Sequence, residues 1–190
     1  MADSSAPLTG SKRQEIIDRA YTLFYDGGFH ATGIDKVMAD SGISKRTLYK
    51  YFPSKEHLIE AVLEHYGAMV ETKVLDPAFA RTSDPRGRIL ALFDVRKDMM
   101  DAQDCLGCLA MKAAQEYRGR HAGIEAIGQR ASFFIEQKMI DLCTEAGLSE
   151  PAVRGRQISM LLQGAVLTSQ VRGDTAVFAD ARAAAERLLA

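Results

Sequence analysis

Gly42-Ile43-Ser44-Lys45-Arg46-Thr47-Leu48-Tyr49-Lys50-Tyr51-Phe52-Pro53-Ser54-Lys55 is the stretch whose reading decides the fold. It runs as a turn, a short helix, a stop and a helix start. Gly42 supplies the turn, where a positive φ costs little. Ser44 stands where a helix needs its cap. Leu48 and Phe52, four residues apart, give that helix one inward edge. Pro53 stops it, because the residue before a proline avoids helical angles. Ser54 caps the helix that follows. Lys45, Arg46, Thr47, Tyr49, Lys50 and Tyr51 are left pointing outward. Residues 45–55 carry Lys45, Arg46, Lys50 and Lys55 and no acid.

Upstream, Ser11 and Gln14 have capping-box spacing. Ile16, Ala20, Leu23 and Phe24 then share one face, Gly27-Gly28 ends the helix, and Phe29 follows as an apolar plug. A second helix starts at Thr32 or Gly33, with Thr32 and Asp35 at cap-and-N3 spacing and Ile34, Val37 and Met38 inward. It ends at Asp40-Ser41. Two helices joined by so short a turn have the punctuation of a helix-turn-helix, which lays its second helix in the DNA major groove. Arg pairs bidentately with guanine, Thr meets a base edge or a thymine methyl, and Lys and Tyr serve phosphates. Lys55 opposes the dipole of the helix it opens, which suggests a nearby anion. Free N–H groups there, and at Thr32, suit phosphate.

At these residues the chain resembles the TetR family of transcriptional regulators. The resemblance rests on Gly27 to Phe29, Thr32, Ile34 to Ala39, Gly42-Ile43-Ser44-Lys45, Thr47-Leu48-Tyr49, Tyr51-Phe52, Ser54-Lys55-Glu56 and Leu58, and covers about residues 12–63. It implies an all-helical homodimer with a small N-terminal DNA-binding domain and a larger domain that binds an inducer and dimerises. It also implies repression from a palindromic operator on double-stranded DNA. By position, Tyr49, Tyr51 and Lys55 match the family's phosphate contacts, and Ser44 to Thr47 with Lys50 match its base-facing or near-base positions. Arg46 departs from the Gly or Ala of many members, which adds a base or phosphate contact.

The 190 residues carry a net charge of −1, with 47% hydrophobic and 26% charged residues. Such a chain builds a sizeable core, and its charge placement, not its charge balance, points to nucleic acid. Screening confines a basic patch's field to about 10 Å. Few prolines and no alternating Val/Ile runs argue for an all-α fold of about nine helices. We expect a disordered tail over 1–10, a helix-turn-helix domain over 11–53 and a regulatory and dimerisation domain over 54–190, with the fourth helix connecting them. That helix runs through Leu58, Ile59, Val62 and Leu63 to about Leu75. Asp76 to Pro85 reads as a linker, and Asp84 caps the fifth helix, which Pro85 opens with Ile89, Leu92 and Phe93 inward. After a break at 101–104 a helix covers roughly 106–117. Another carries Ile124, Ile127, Ala131, Phe134 and Ile135 as a stripe and ends at Gly147. Ser149 caps a long helix with Pro151 in its first turn, and an Ala-rich helix over about 175–189 closes the chain. Three cysteines in no disulfide framework suit a reducing, cytoplasmic setting, and no apolar run is long enough to span a membrane.

The long helix after Ser149 has two apolar faces. Ile158, Leu161, Leu162 and Ala165 form one; Met160, Gly164, Leu167 and Val171 form the other. An outer helix of a monomer needs one such face, so the second suggests a dimer interface. A lone helix-turn-helix also makes too few contacts for high specificity, and pairing supplies two half-sites.

Cys105-Leu106-Gly107-Cys108 is a Cys-x-x-Cys without the βαβ context of a redox enzyme or the further ligands of a zinc site. It reads either as small buried thiols at a helix start or as a sensor, since a helix N-terminus and Lys112, one turn on, both favour thiolate. Gly107-Cys108-Leu109-x-x-Lys112 is similar to a TetR branch in which cysteine at this place responds to electrophiles or oxidants. Under that reading Cys108 is the sensor. For a small-molecule inducer, His65, Met69, Phe93, Met111, Gln115, Phe133 and Gln163 are candidate contacts, although each reads as plain core before it reads as a ligand contact. Phosphate loops, nucleophile elbows and metal clusters are not found in the sequence, so no enzyme, metal or cofactor is expected. The remaining alternative is a helical scaffold, which has no need of the basic and aromatic pattern at 44–55.

Overall fold

The computed structural model describes residues 11–102 and 106–190. All regular secondary structure among the described residues is helical, and the chain divides into two compact units, one through His65 and one from Tyr66.

The first unit holds α1 (Lys12–Gly27), α2 (Ile34–Met38), α3 (Lys45–Tyr51) and the start of α4 (Lys55–Val70). Ser11 caps α1 by accepting the Gln14 N–H at 3.3 Å. The reciprocal half of the box is missing, because the Gln14 side chain turns outward and donates to Asp18 at 2.7 Å. Gly28, at φ 77°, ends α1. Phe29 folds back on Phe24, with ring centroids 5.2 Å apart, and both are fully buried with Ile16, Ala20, Val37, Leu48 and Leu58. Each of the larger side chains among them contributes about 1.5–3 kcal/mol.

At five residues, α2 cannot satisfy its own ends. Arg19 of α1 does this for its C-terminus, donating to the carbonyls of Val37 and Ala39. At the other end, Gly33 and not Thr32 is the cap residue, and no side-chain cap bond forms. The Thr32 hydroxyl is spent elsewhere, on the carbonyl of Leu23 in α1. Two residues of the following turn take positive φ, Asp40 at 55° and Gly42 at 67°.

The second unit contains the rest of α4, a π turn (Glu71–Leu75), α5 (Asp76–Ala80), α6 (Pro85–Ala102), α7 (Leu109–Glu116), α8 (Ala122–Glu145), α9 (Pro151–Arg172) and α10 (Val177–Leu188). Lys55–Ala80 is thus one helical run with a π turn inside it; counted so, the described residues hold nine helices. The expected linker at 76–80 is helical. The Asp76 N–H reaches back five residues to Glu71. That wider turn makes room for the Pro77 ring, which in a tight α turn strikes the carbonyl four residues earlier. Beyond it, Asp84 caps α6 by accepting the Gly87 N–H at 2.8 Å.

The core of this unit is built from Ile89, Leu92, Phe93, Met139, Ile158 and Phe178 with their neighbours. Two glycines let α8 approach its partners. A Cβ on Gly128 would lie 2.7 Å from the Ala110 carbonyl of α7, and one on Gly155 would lie 2.6 Å from Ile140 Cα. At the start of α9 the cap position falls on Glu150, in the left-handed region at φ 51°, and not on Ser149. The Ser149 hydroxyl instead accepts from Arg154 at 3.2 Å, and the same guanidinium also donates to the Leu188 carbonyl of α10.

Candidate DNA interface and regulatory pocket

Helix α3 is fixed at both ends and along one edge. Ser44 accepts the Thr47 N–H at 3.1 Å. Phe52 is the C-cap, at φ −133° and ψ 98°, as the residue before a proline must be. Leu48 is 0% and Phe52 2% exposed, and the Arg13 guanidinium of α1 lies over the Phe52 ring at 5.3 Å. With that edge buried, a turn of about 100° per residue puts Arg46 and Lys50 on the opposite ridge, Thr47 beside them, Lys45 and Tyr49 on one flank and Tyr51 on the other. Lys45, Arg46, Tyr49, Lys50 and Tyr51 are all exposed. Thr47 is half-buried, and its hydroxyl shares a 2.9 Å hydrogen bond with that of Ser44. Those two hydroxyls therefore serve the cap before anything else. Lys55 is half-buried at the start of α4.

Two site expectations change here. Thr32 is completely buried with its hydroxyl on Leu23, so it holds α2 to α1 and does not face a phosphate. The Lys45 Nζ lies 2.5 Å from Oδ1 of Asp35 in α2. The hydrogen bond and charge of Asp35 hold the Lys45 ammonium above its ordinary pKa. Sequence spacing had made Asp35 a helix-start acid and gave no sign of this pairing.

Four residues expected in a sensing or ligand site come together in the second unit. Cys108, Met111, Lys112 and Gln115 line one hollow with Val166, Leu167 and Gln170 of α9. Its room of about 10 Å³ is that of one water molecule. Cys108 is the N-cap of α7, half-buried and a free thiol. Gly107 before it sits at φ 86°, hard against the Gln170 side chain, and its carbonyl accepts from Arg96 Nη2 at 2.6 Å. Arg96 is only 7% exposed, and sequence reading passed over it because its acceptor is a backbone atom eleven residues away. Cys105 lies outside the described residues. Cys143 is buried, and burial pushes its thiol pKa up, with Arg154 opposing.

The other ligand candidates do not join this hollow. Phe93 is core at 1% exposure, and Phe133 points outward at 66%. His65 lies 3.6 Å from Asp18 and 3.4 Å from Gln14, inside the first unit. Met69 is half-buried on α4. Gln163 bridges α8 and α9, accepting from Ser132 at 3.1 Å and donating to Ser159 at 2.9 Å. The second face of α9 is as the pattern predicts: Met160, Leu167 and Val171 are 63%, 45% and 79% exposed, with Gly164 open beside them. Among the described residues no helix is long and apolar enough to cross a membrane.

The described residues thus present a capped, anchored basic helix at the second position of a helix-turn-helix. Residues 16–62 match the family model described as "Bacterial regulatory proteins, tetR family". The uncharacterized HTH-type transcriptional regulator YxaF of Bacillus subtilis is 35% identical over 77 residues, 40% of each chain. The HTH-type transcriptional regulator LmrA of the same organism is 25% identical over 166 residues, 84% of this chain and 87% of its own. The chain thus spans about two fifths of YxaF and most of LmrA. A TetR-family transcriptional regulator from Streptomyces coelicolor shares the fold at a TM-score of 0.85 and 23% identity, over 93% of both chains. Residues 16–62 are thus similar to bacterial regulatory proteins of the tetR family, and the chain shares its fold with a solved protein of that description.

Proposed function

We propose that this chain is a repressor that binds a palindromic operator as a homodimer and is released by a small effector. One observation carries the reading: the exposed Arg46–Lys50 ridge, flanked by Tyr49 and Tyr51, on a helix whose ends and inner edge are fixed. Arg46, Thr47 and Lys50 read base edges; Tyr49, Tyr51 and Lys55 hold the backbone. Pairing through Met160, Gly164, Leu167 and Val171 places two such helices about one DNA turn apart, or a multiple of it. Burying that apolar face against a second copy removes a patch that a monomer has no reason to expose.

Release follows when an effector binds more tightly to the arrangement that does not fit DNA. Helix α4, which runs from the DNA-binding unit into the second unit, is the covalent route for that signal. The test is selection of genomic fragments by the full-length protein, then titration of a recovered duplex against salt. Affinity should fall steeply with salt while sequence preference persists. Equal affinity for all duplexes, or none for any, overturns the proposal.

A specific observation favours the thiol at Cys108 as the point of entry. It is a free, partly accessible sulfur sharing a hollow with Lys112, and that hollow is too small for a larger ligand unless α7 and α9 part. Treating wild type and Cys108→Ser with an oxidant separates the two effector types. If release is equal in both proteins, Cys108 is not the sensor and a non-covalent inducer is left.

A further inference from the structure

We propose that Asp35 is a specificity-determining residue: it holds Lys45 back from phosphates and so weakens binding to DNA of the wrong sequence. The inference rests on the reading of α3 as a DNA-contacting helix. Its basis is the juxtaposition of an acid on α2 with a cation in the first turn of α3, in a face otherwise free of acids from 45 to 55. With Gly33 as the cap, Asp35 is the second residue of α2, one place short of the position from which a capping box reaches back. Its carboxylate lies instead against Lys45 at 2.5 Å. Arg46 and Lys50, on the outer ridge, make no ion pair among the described residues.

The three cations therefore differ in what a phosphate gains from them. Lysine is a compact charge on a flexible stem, and unrestrained it serves any phosphate within reach. Each such contact adds to affinity without regard to sequence. Lys45 stands on the flank beside α2, and the first helix of a helix-turn-helix crosses the DNA backbone, so phosphates pass close by. With Asp35 in place, a phosphate must displace a carboxylate already bound and then lie beside it. The ammonium has three donors, so in a correctly seated complex Lys45 keeps Asp35 and still offers a hydrogen bond to the groove. Both side chains are well exposed, 61% for Lys45 and 78% for Asp35, which keeps the pairing weak enough to act as a bias and not a lock.

The experiment compares full-length wild type, Asp35→Asn, Asp35→Glu, Lys45→Gln and the double variant Asp35→Asn/Lys45→Gln. Each is titrated with a mixed-sequence duplex and with a recovered specific duplex, over a range of salt. Asp35→Asn should bind the mixed duplex roughly two- to fivefold more tightly per protomer. The slope of log affinity against log salt should steepen by about 0.9 per freed lysine. The specific duplex should change less, so the ratio of specific to non-specific affinity falls. Asp35→Glu, which keeps charge and pairing, should behave as wild type. In the Lys45→Gln background, Asp35→Asn should do nothing further. The inference is overturned if Asp35→Asn leaves mixed-duplex binding and its slope unchanged, or if its gain is as large without Lys45, which assigns the effect to bulk repulsion. Failure of wild type to bind any duplex is a separate result, and it removes the DNA-binding reading itself.

Discussion

Gly155 and Gly164 sit on the same helix and face opposite ways, and alanine at each should act in opposite senses. At Gly155 the new Cβ lies 2.6 Å from Ile140 Cα and 2.7 Å from its N. Both are backbone atoms, so no rotamer change relieves the contact. Ordinary contact begins near 3.4 Å, so α8 and α9 must part by roughly 0.8 Å, losing dispersion along the crossing. Overpacking of this kind costs about 1–3 kcal/mol. Alanine's helix preference over glycine returns about 1 kcal/mol. The net loss is then up to about 2 kcal/mol, a fall in melting temperature of up to about 4–8 °C for a chain of this size. At Gly164 nothing lies within 4 Å of the added Cβ, so only the preference term of about 1 kcal/mol acts and the protomer gains stability. The same methyl stands in the apolar face proposed for the second copy, and there it should weaken dimerisation. Thermal melts at several protein concentrations, with sedimentation to read the dimer, give both quantities. A Gly155→Ala protein stabilised as much as Gly164→Ala refutes the close-approach argument. A Gly164→Ala protein with unchanged dimerisation refutes tight packing of the two copies at that point.

Two further outcomes follow from the hydrogen bonds. Arg19→Ala leaves the Val37 and Ala39 carbonyls without their charged donor; it should cost about 1.5–3 kcal/mol, seen as faster amide exchange across α2 and weaker duplex binding. Asp101 is held below its ordinary carboxylate pKa of 3.8 by the Lys97 and Thr175 hydrogen bonds. A carboxyl whose folded pKa is depressed contributes stability in full above its unfolded value, and that stability is lost as pH falls through the folded value. Wild type should therefore exceed Asp101→Asn in stability at neutral pH, and acid melts should show the gap closing below about pH 4.

Local signals in the chain proved sound where one residue type had one use. Ser44, Leu48, Phe52 and Pro53 defined α3 with both its ends, and Asp84 with Pro85 opened α6. The second apolar face of α9 was legible because period 3.6 leaves no other place for Met160, Leu167 and Val171. Sequence failed where a side chain had a choice of partner. Gln14 chose Asp18 over the cap, Thr32 chose Leu23, and Ser149 accepted from Arg154. Each choice depends on an acceptor or donor brought near by folding, which spacing alone does not reveal. The Asp35–Lys45 pair and the burial of Arg96 over Gly107 are of the same kind, non-local and polar. Pro77 misled for a different reason: a proline reads as a break, and a π turn is the rarer way for a helix to keep one.

That π turn at Glu71–Leu75 places one more residue in a turn than an α-helix holds. The helical run from Lys55 to Ala80 therefore has two phases, and side chains beyond Leu75 are rotated by about one residue's angle from where the earlier frame would aim them. Val74 and Leu75, within the π turn, and Ala78, beyond it, are all buried. A relative with a plain α-helix here would align correctly only with a one-residue gap, so insertions and deletions at this point record a change of helix type and not a change of length.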